Sequence, residues 1–235
     1  MTSPDTRTAF WRGARNTLPF LIVVGPFALL FGVVATEAGL NLAEVMGFSV
    51  LIIAGAAQFT AVQLMADNAP TVIVILTALA VNLRTAMYSA ALTPHLGAAP
   101  LRTRALAAYL IFDQPFAASV AEFERRPDQT LAEKLAFFFG SAAPLVPVWY
   151  GATLAGALLG RSIPPEYALD FAVPITFLAI VAPMLRTPAH LVAAGVSVAA
   201  SLALAFIPYN GGLLIAAALA MMAGAEVERR GGWHP

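Results

Sequence analysis

Charge is scarce in this chain. Of 235 residues, 13 are Lys or Arg and 13 are Asp or Glu, so charged residues make up 11%. An average soluble domain carries roughly 25%. The shortage argues against a soluble globular protein. It also excludes an intrinsically disordered one, which needs high charge and low hydrophobicity. Net charge is zero, so the chain has no basic face for nucleic acid. Cysteine is absent, which removes disulfides, thiol chemistry and sulfur-ligated metal. The three histidines, His95, His190 and His234, share no metal-ligand spacing. There is no His-Glu-x-x-His helix and no Gly-rich phosphate loop with Lys. The residues therefore point to no enzyme, no metal and no cofactor. What is abundant is apolar: 60% of residues are hydrophobic and mean hydropathy is +0.79. The chain reads as an all-α polytopic membrane protein.

The few charges mark its layout. A spanning helix needs about 20 apolar residues, because ~30 Å of hydrocarbon is covered at ~1.5 Å per residue. Eight hydrophobic segments fit, near 18–36, 45–66, 70–93, 104–122, 135–160, 169–186, 189–208 and 211–226. The last two are divided by the turn residues Pro208-Tyr209-Asn210-Gly211-Gly212. The first segment is too long for a cleaved leader and is interrupted by Pro19, Gly25 and Pro26. Residues 1–15 read as a short polar cytoplasmic tail with Trp11 at the interface. Loops this short leave one transmembrane domain over 1–235. Glu37, Glu44, Arg102, Arg104 and the cluster 122–134 read as solvated loop ends, and His95 as interfacial.

Lysine and arginine set orientation. If all eight segments cross, the tally is nine on the N-terminal side to three opposite, with Arg84 inside the membrane. Both termini then face the cytoplasm. A weak internal repeat, over 18–93 and 135–208, complicates the count. Phe31-Gly32 and Tyr150-Gly151, and Met65 and Met184, lie 119 apart; Pro26 and Pro144, Phe59 and Phe177, and Pro70 and Pro188 lie 118 apart. Transporters are often built from such repeats. Eight crossings make the repeats parallel. Re-entry of 45–66 and 169–186 leaves six crossings, makes the repeats inverted, and keeps the tally at nine to three. Cysteines placed in 123–130 distinguish the two, since cytoplasmic labelling excludes the six-crossing version.

Polar groups at membrane depth should face protein, water or substrate. Ala54-Gly55-Ala56-Ala57-Gln58-Phe59 combines small residues with an amide, suiting either close helix packing or a helix break at a binding site. Asn82-Leu83-Arg84 places a guanidinium too deep to snorkel. It is either half of a structural ion pair or a ligand for a substrate carboxylate. Phe112-Asp113-Gln114-Pro115-Phe116 puts a carboxylate beside a helix-breaking proline, suited to an amine, a cation or a proton relay. Pro144, Pro147, Pro174 and Pro183 mark further kinks, and Gly151, Gly156 and Gly160 a small-residue face for a neighbouring helix.

Taken together, the Ala54–Phe59, Asn82–Arg84 and Asp113–Ala117 blocks resemble the three signature blocks of the AzlC family, and the resemblance covers roughly 15–226. This family is the large subunit of the bacterial branched-chain amino-acid exporters. The resemblance implies export of leucine, isoleucine, valine and sometimes methionine across the bacterial plasma membrane. It implies proton-coupled secondary transport and a small AzlD-like membrane subunit as partner. One position departs: family members usually carry His directly after the block's Arg, and here it is Thr85, which puts coupling or specificity in question. On this reading Arg84 holds the α-carboxylate, and Asp113 the amine or an exchanged proton. Gln58 and Asn82 fix orientation, Phe59, Phe112 and Phe116 line the side-chain pocket, and Gln114 belongs to the substrate-binding set. The alternatives are a non-transporting scaffold subunit, or a carrier or channel for another small solute.

Overall fold

A computed structural model describes residues 4–160, 185, 187–207 and 211–231. Segment 169–186, with Pro174, Phe177, Pro183 and Met184, lies almost wholly outside the described residues, as do Pro208-Tyr209-Asn210 and His234. All regular structure among the described residues is helical. The elements are α1 (Pro4–Thr17), a single 3-10 turn (Leu18–Phe20), α2 (Leu21–Glu37), α3 (Leu42–Leu51), α4 (Gly55–Ala66), α5 (Thr71–Leu96), α6 (Leu101–Tyr109), α7 (Asp113–Arg125), α8 (Leu131–Ala142), α9 (Leu145–Gly160), α10 (Pro188–Ala203) and α11 (Gly211–Gly231). Among the described residues, four stretches are long and apolar enough to cross a membrane: Asp5–Glu37, Thr71–Leu96, Leu131–Gly160 and Gly211–Arg230. The chain forms two compact units, 1–62 with 78–167, and 63–77 with 168–235.

Two kinked rods, α1–α2 and α8–α9, form the centre of the first unit. Pro19 sits in the turn that kinks the first, and Pro144 between the helices of the second. Glycine lets the rods touch backbone to backbone. A Cβ on Gly32 would strike the Thr153 carbonyl oxygen, and one on Gly156 the Leu29 carbonyl oxygen. Likewise a Cβ on Gly13 would strike the Phe137 carbonyl, and one on Gly140 the Phe10 carbonyl. These contacts are reciprocal. In α2 and α9 the matched positions are 124 apart (156 − 32, 153 − 29); in α1 and α8 they are 127 apart (140 − 13, 137 − 10). The difference of three is the extra turn Leu18–Phe20 in the first rod. Gly25 meets Val148, and Gly160 meets Val33 and Thr36, so positions rise together and the rods run parallel. The spacing differs from the 118–119 of the sequence matches. The Gly156/Gly160 face is filled from within the chain, while Gly151 faces open space. Residues 4–15, read as a polar tail, instead form most of α1, because Ala9, Gly13 and Thr17 bury one face against α8.

Two broken segments reverse within the unit. α3 leaves α2 through Ala38 and Gly39, whose φ of 91° suits glycine, and starts on an Asn41–Glu44 capping box. It runs back along the rods, with Phe48 against Phe31 and Ser49 bonded to Thr153. The chain turns extended at Ile52, and α4 then retraces the path. Gly55 lies beside Phe27 and Trp149, and Phe59 packs between Phe27 and Phe31. Gln58 Nε2 donates to Ser49 Oγ at 3.4 Å, although nine residues of straight helix would separate them by roughly 13 Å.

The second reversal is 101–125. α5 and α7 run parallel, since Arg84 meets Asp113, Tyr88 meets Phe116 and His95 meets Phe123. α6 therefore descends from the end of α5, and α7 returns beside it. The segment read as one span, 104–122, is two half-helices. Leu110 ends α6, Phe112 is extended, and Pro115 falls in the first turn of α7, where no amide partner is lost. In the second unit, α10 and α11 pack together with Gly224 facing Ala193.

Candidate functional site

The two reversals point their tips at each other. Tyr109, the last residue of α6, donates its hydroxyl to the Val50 carbonyl in α3. Its oxygen also lies 2.6 Å from the Tyr150 hydroxyl of α9. Ile53 of the first tip and Phe112 of the second share one apolar cluster with Val24, Ala28, Leu145 and Trp149. Two half-helix N-termini, those of α4 and α7, therefore start inside the protein. Each offers first-turn amides with no intrahelical acceptor and the positive end of a helix dipole.

At the second tip, Asp113 is the first residue of α7, where that dipole favours a carboxylate. Its Oδ2 accepts from Arg84 Nη1 at 2.9 Å, and its Oδ1 from the Tyr88 hydroxyl at 2.9 Å. Tyr88 stacks on Phe116 with centroids 4.0 Å apart and planes 12° from parallel. The ion pair is not sealed, with 30% of the Arg84 side chain and 44% of that of Asp113 exposed. A fully buried pair would be costly to separate; this one is partly open. Arg84 Nε and Asn82 Oδ1 are buried without a hydrogen-bond partner. Thr85 turns its hydroxyl back to the Asn82 carbonyl at 2.8 Å. Gln114 is half-buried.

At the first tip, fully buried Gln58 leads a polar chain through Ser49 to Thr153, the latter step 3.2 Å long. Its Oε1 has no partner, and neither does Trp149 Nε1. Phe59 is buried among aromatic rings. The structure thus brings Arg84, Asp113 and Phe116 together, and gathers Gln58, Phe59 and Phe112 around the opposite tip. Sequence reading missed Tyr88, Ser49, Thr153 and Tyr109. Tyr88 had a signal, lying one helical turn beyond Arg84; the other three become relevant only once the chain reverses. Glu122, read as solvated, is buried and takes Arg12 at 2.8 Å, Arg126 at 3.5 Å and Gln129 at 3.3 Å.

A cation, an anion, a phenol and stacked aromatic rings thus gather where two broken helices meet. The profile described as AzlC protein matches residues 19–163. This chain belongs to the AzlC family. The inner membrane protein YgaZ of Escherichia coli K12 is 30% identical over 189 residues, 76% of each chain. An uncharacterized membrane protein of Archaeoglobus fulgidus is 30% identical over 224 residues, covering 94% of this chain and 95% of that one. No solved structure matches. As an AzlC protein the chain is a multi-pass membrane protein, consistent with a role related to transport.

Proposed function

We propose that this AzlC protein is the large subunit of a proton-coupled secondary exporter of branched-chain and related apolar amino acids, in the plasma membrane of a bacterium. The observation that carries the reading is the half-open Arg84–Asp113 pair, held by Tyr88 at the start of a half-helix. A substrate α-carboxylate displaces Asp113 from Arg84, since guanidinium binds either carboxylate in the same planar geometry. Asp113, released, takes the ammonium or a proton. Phe112 and Phe116 border the apolar side chain, and Asn82, Gln114 and, at the facing tip, Gln58 and Phe59 complete the surround. Because the charges swap partners and neither is left bare, the pair serves both the empty and the loaded state.

The α1 end of the first unit faces the cytoplasm, putting the N-terminus inside; the C-terminus is assigned to the same side. A small AzlD-like membrane subunit covers α5, which exposes Leu76, Leu79, Leu83 and Met87. The test is efflux of labelled leucine from proteoliposomes, with and without that subunit and with and without a pH gradient. Arg84→Ala and Asp113→Asn are each expected to lower efflux at least fifty-fold at normal expression. Full activity in both would remove the pair from the mechanism. Efflux that never saturates would turn the reading to a channel.

A further inference from the structure

A cavity lies within the first unit. It holds about 380 Å³ and is walled by α5, α6 and α8, within the range of ~300–1,000 Å³ typical of small-molecule sites. Leu92, Leu96 and Phe138 make its apolar wall. Ile111, at the tip of the second reversal, closes one end. Ile111 lies two residues before Asp113, so the groove reaches the tip that carries the Arg84–Asp113 pair. At the other end stands Arg104. Its Nη1 donates a long bond to the Gly97 carbonyl at 3.4 Å, and no ion pair joins it among the described residues. No Asp or Glu lines the groove. A cation at the rim of an apolar trough, with no anion to receive an ammonium, selects a carboxylate that carries an apolar chain.

We infer that this groove is the cytoplasmic vestibule of the exporter. Arg104 there takes the substrate's carboxylate, and the α5–α8 wall its side chain, before transfer to Arg84. The inference rests on the proposed export of apolar amino acids and on the α1 end facing inward. It makes a demand that the Arg84–Asp113 pair does not: the ammonium is irrelevant here. The branched-chain 2-oxo acid 4-methyl-2-oxopentanoate should therefore occupy the groove as well as leucine does, and leucinamide should not.

The chain has no native cysteine, so Ala108→Cys, an exposed position on the groove wall, reports occupancy through its rate of maleimide labelling in the purified full chain. Leucine and 4-methyl-2-oxopentanoate are each expected to slow labelling at least fivefold, and leucinamide to leave it unchanged. Adding Arg104→Gln should abolish protection, and adding Asp113→Asn should keep it. In efflux, Arg104→Gln should raise the apparent KM about five- to tenfold at unchanged maximal rate, with Arg104→Lys intermediate. If wild type exports leucine but neither acid protects, or leucinamide protects equally, the vestibule is overturned and the export reading stands. If phosphatidylglycerol alone protects, the groove is a lipid site and the vestibule is likewise overturned. If 4-methyl-2-oxopentanoate protects while leucine is not exported, the carboxylate site stands and the export reading fails. Failure of both measurements removes both.

Discussion

Tyr88 donates to the carboxylate that Arg84 also holds, and its ring lies flat on Phe116. Tyr88→Phe keeps the stack and removes only the hydroxyl. A hydrogen bond to a charged group is worth about 1.5–3 kcal/mol when buried. In this half-open pair about 1 kcal/mol is expected, roughly a fivefold loss of efflux on the usual tenfold-per-1.4 kcal/mol scale. Unchanged efflux would place the Tyr88 hydroxyl outside the mechanism. Gln58 is a different case. Its Oε1 is buried without a partner, and such an orphan costs about 1–3 kcal/mol. An amide kept only as glue between helices would be fully bonded. Gln58→Leu is therefore expected to leave the melting temperature in detergent unchanged or raised, while efflux falls tenfold or more. Wild-type efflux in that variant would return Gln58 to packing.

At the scale of elements, the glycines of the rods separate packing from spacing. Gly156 meets the Leu29 backbone in the crossing of α2 and α9, whereas Gly151, five residues earlier on α9, faces open space. Gly156→Val must push two backbones apart, and overpacking typically costs 1–3 kcal/mol or more. A marked drop in melting temperature and yield is expected, while Gly151→Ala should stay within about 0.5 kcal/mol of wild type. The contrast also shows what was legible in the sequence. Gly156 and Gly160 declared a helix-contact face by spacing, and Arg84 and Asp113 stood out as charges at depth, which the structure pairs. The partners of those residues were hidden, because hydropathy reports how long a segment is and not which way it runs. Nothing in the composition of 101–125 says that Leu110–Phe112 bends back. Pro115 was a breaker in sequence but turned out to be the start of a new helix. The matches read as a repeat lie 118–119 apart, whereas the reciprocal Gly32–Thr153 and Gly156–Leu29 contacts pair positions 124 apart.

Across the first unit the two reversals change the topology and, with it, the charge argument. The rods run parallel, so both enter from one side. α5 ends on that side, as the packing of His95 on Phe123 and of Leu96 in the cluster with Ala9 shows. The loop 97–100 and the loop 126–130 then both lie at the α1 end, along with Arg7, Arg12, Arg15, Arg102, Arg104, Arg125, Arg126 and Lys134. The opposite loop, 38–41, holds no Lys or Arg and is flanked by Glu37 and Glu44. Within residues 4–160, eight basic side chains stand at one end and none at loop 38–41. Basic loops stay on the cytoplasmic side. The expected arrangement over 4–160 is three crossings, by α1–α2, α5 and α8–α9, with α3–α4 dipping in from the outer face and α6–α7 from the inner one. Single cysteines at Ala98 and Asp128 decide it in intact cells: both should resist a membrane-impermeant maleimide until the cells are permeabilised, while one at Gly39 should label at once. If 104–122 crossed the bilayer, Ala98 and Asp128 would label from opposite faces, and the inward vestibule between α5 and α6 would lose its entrance.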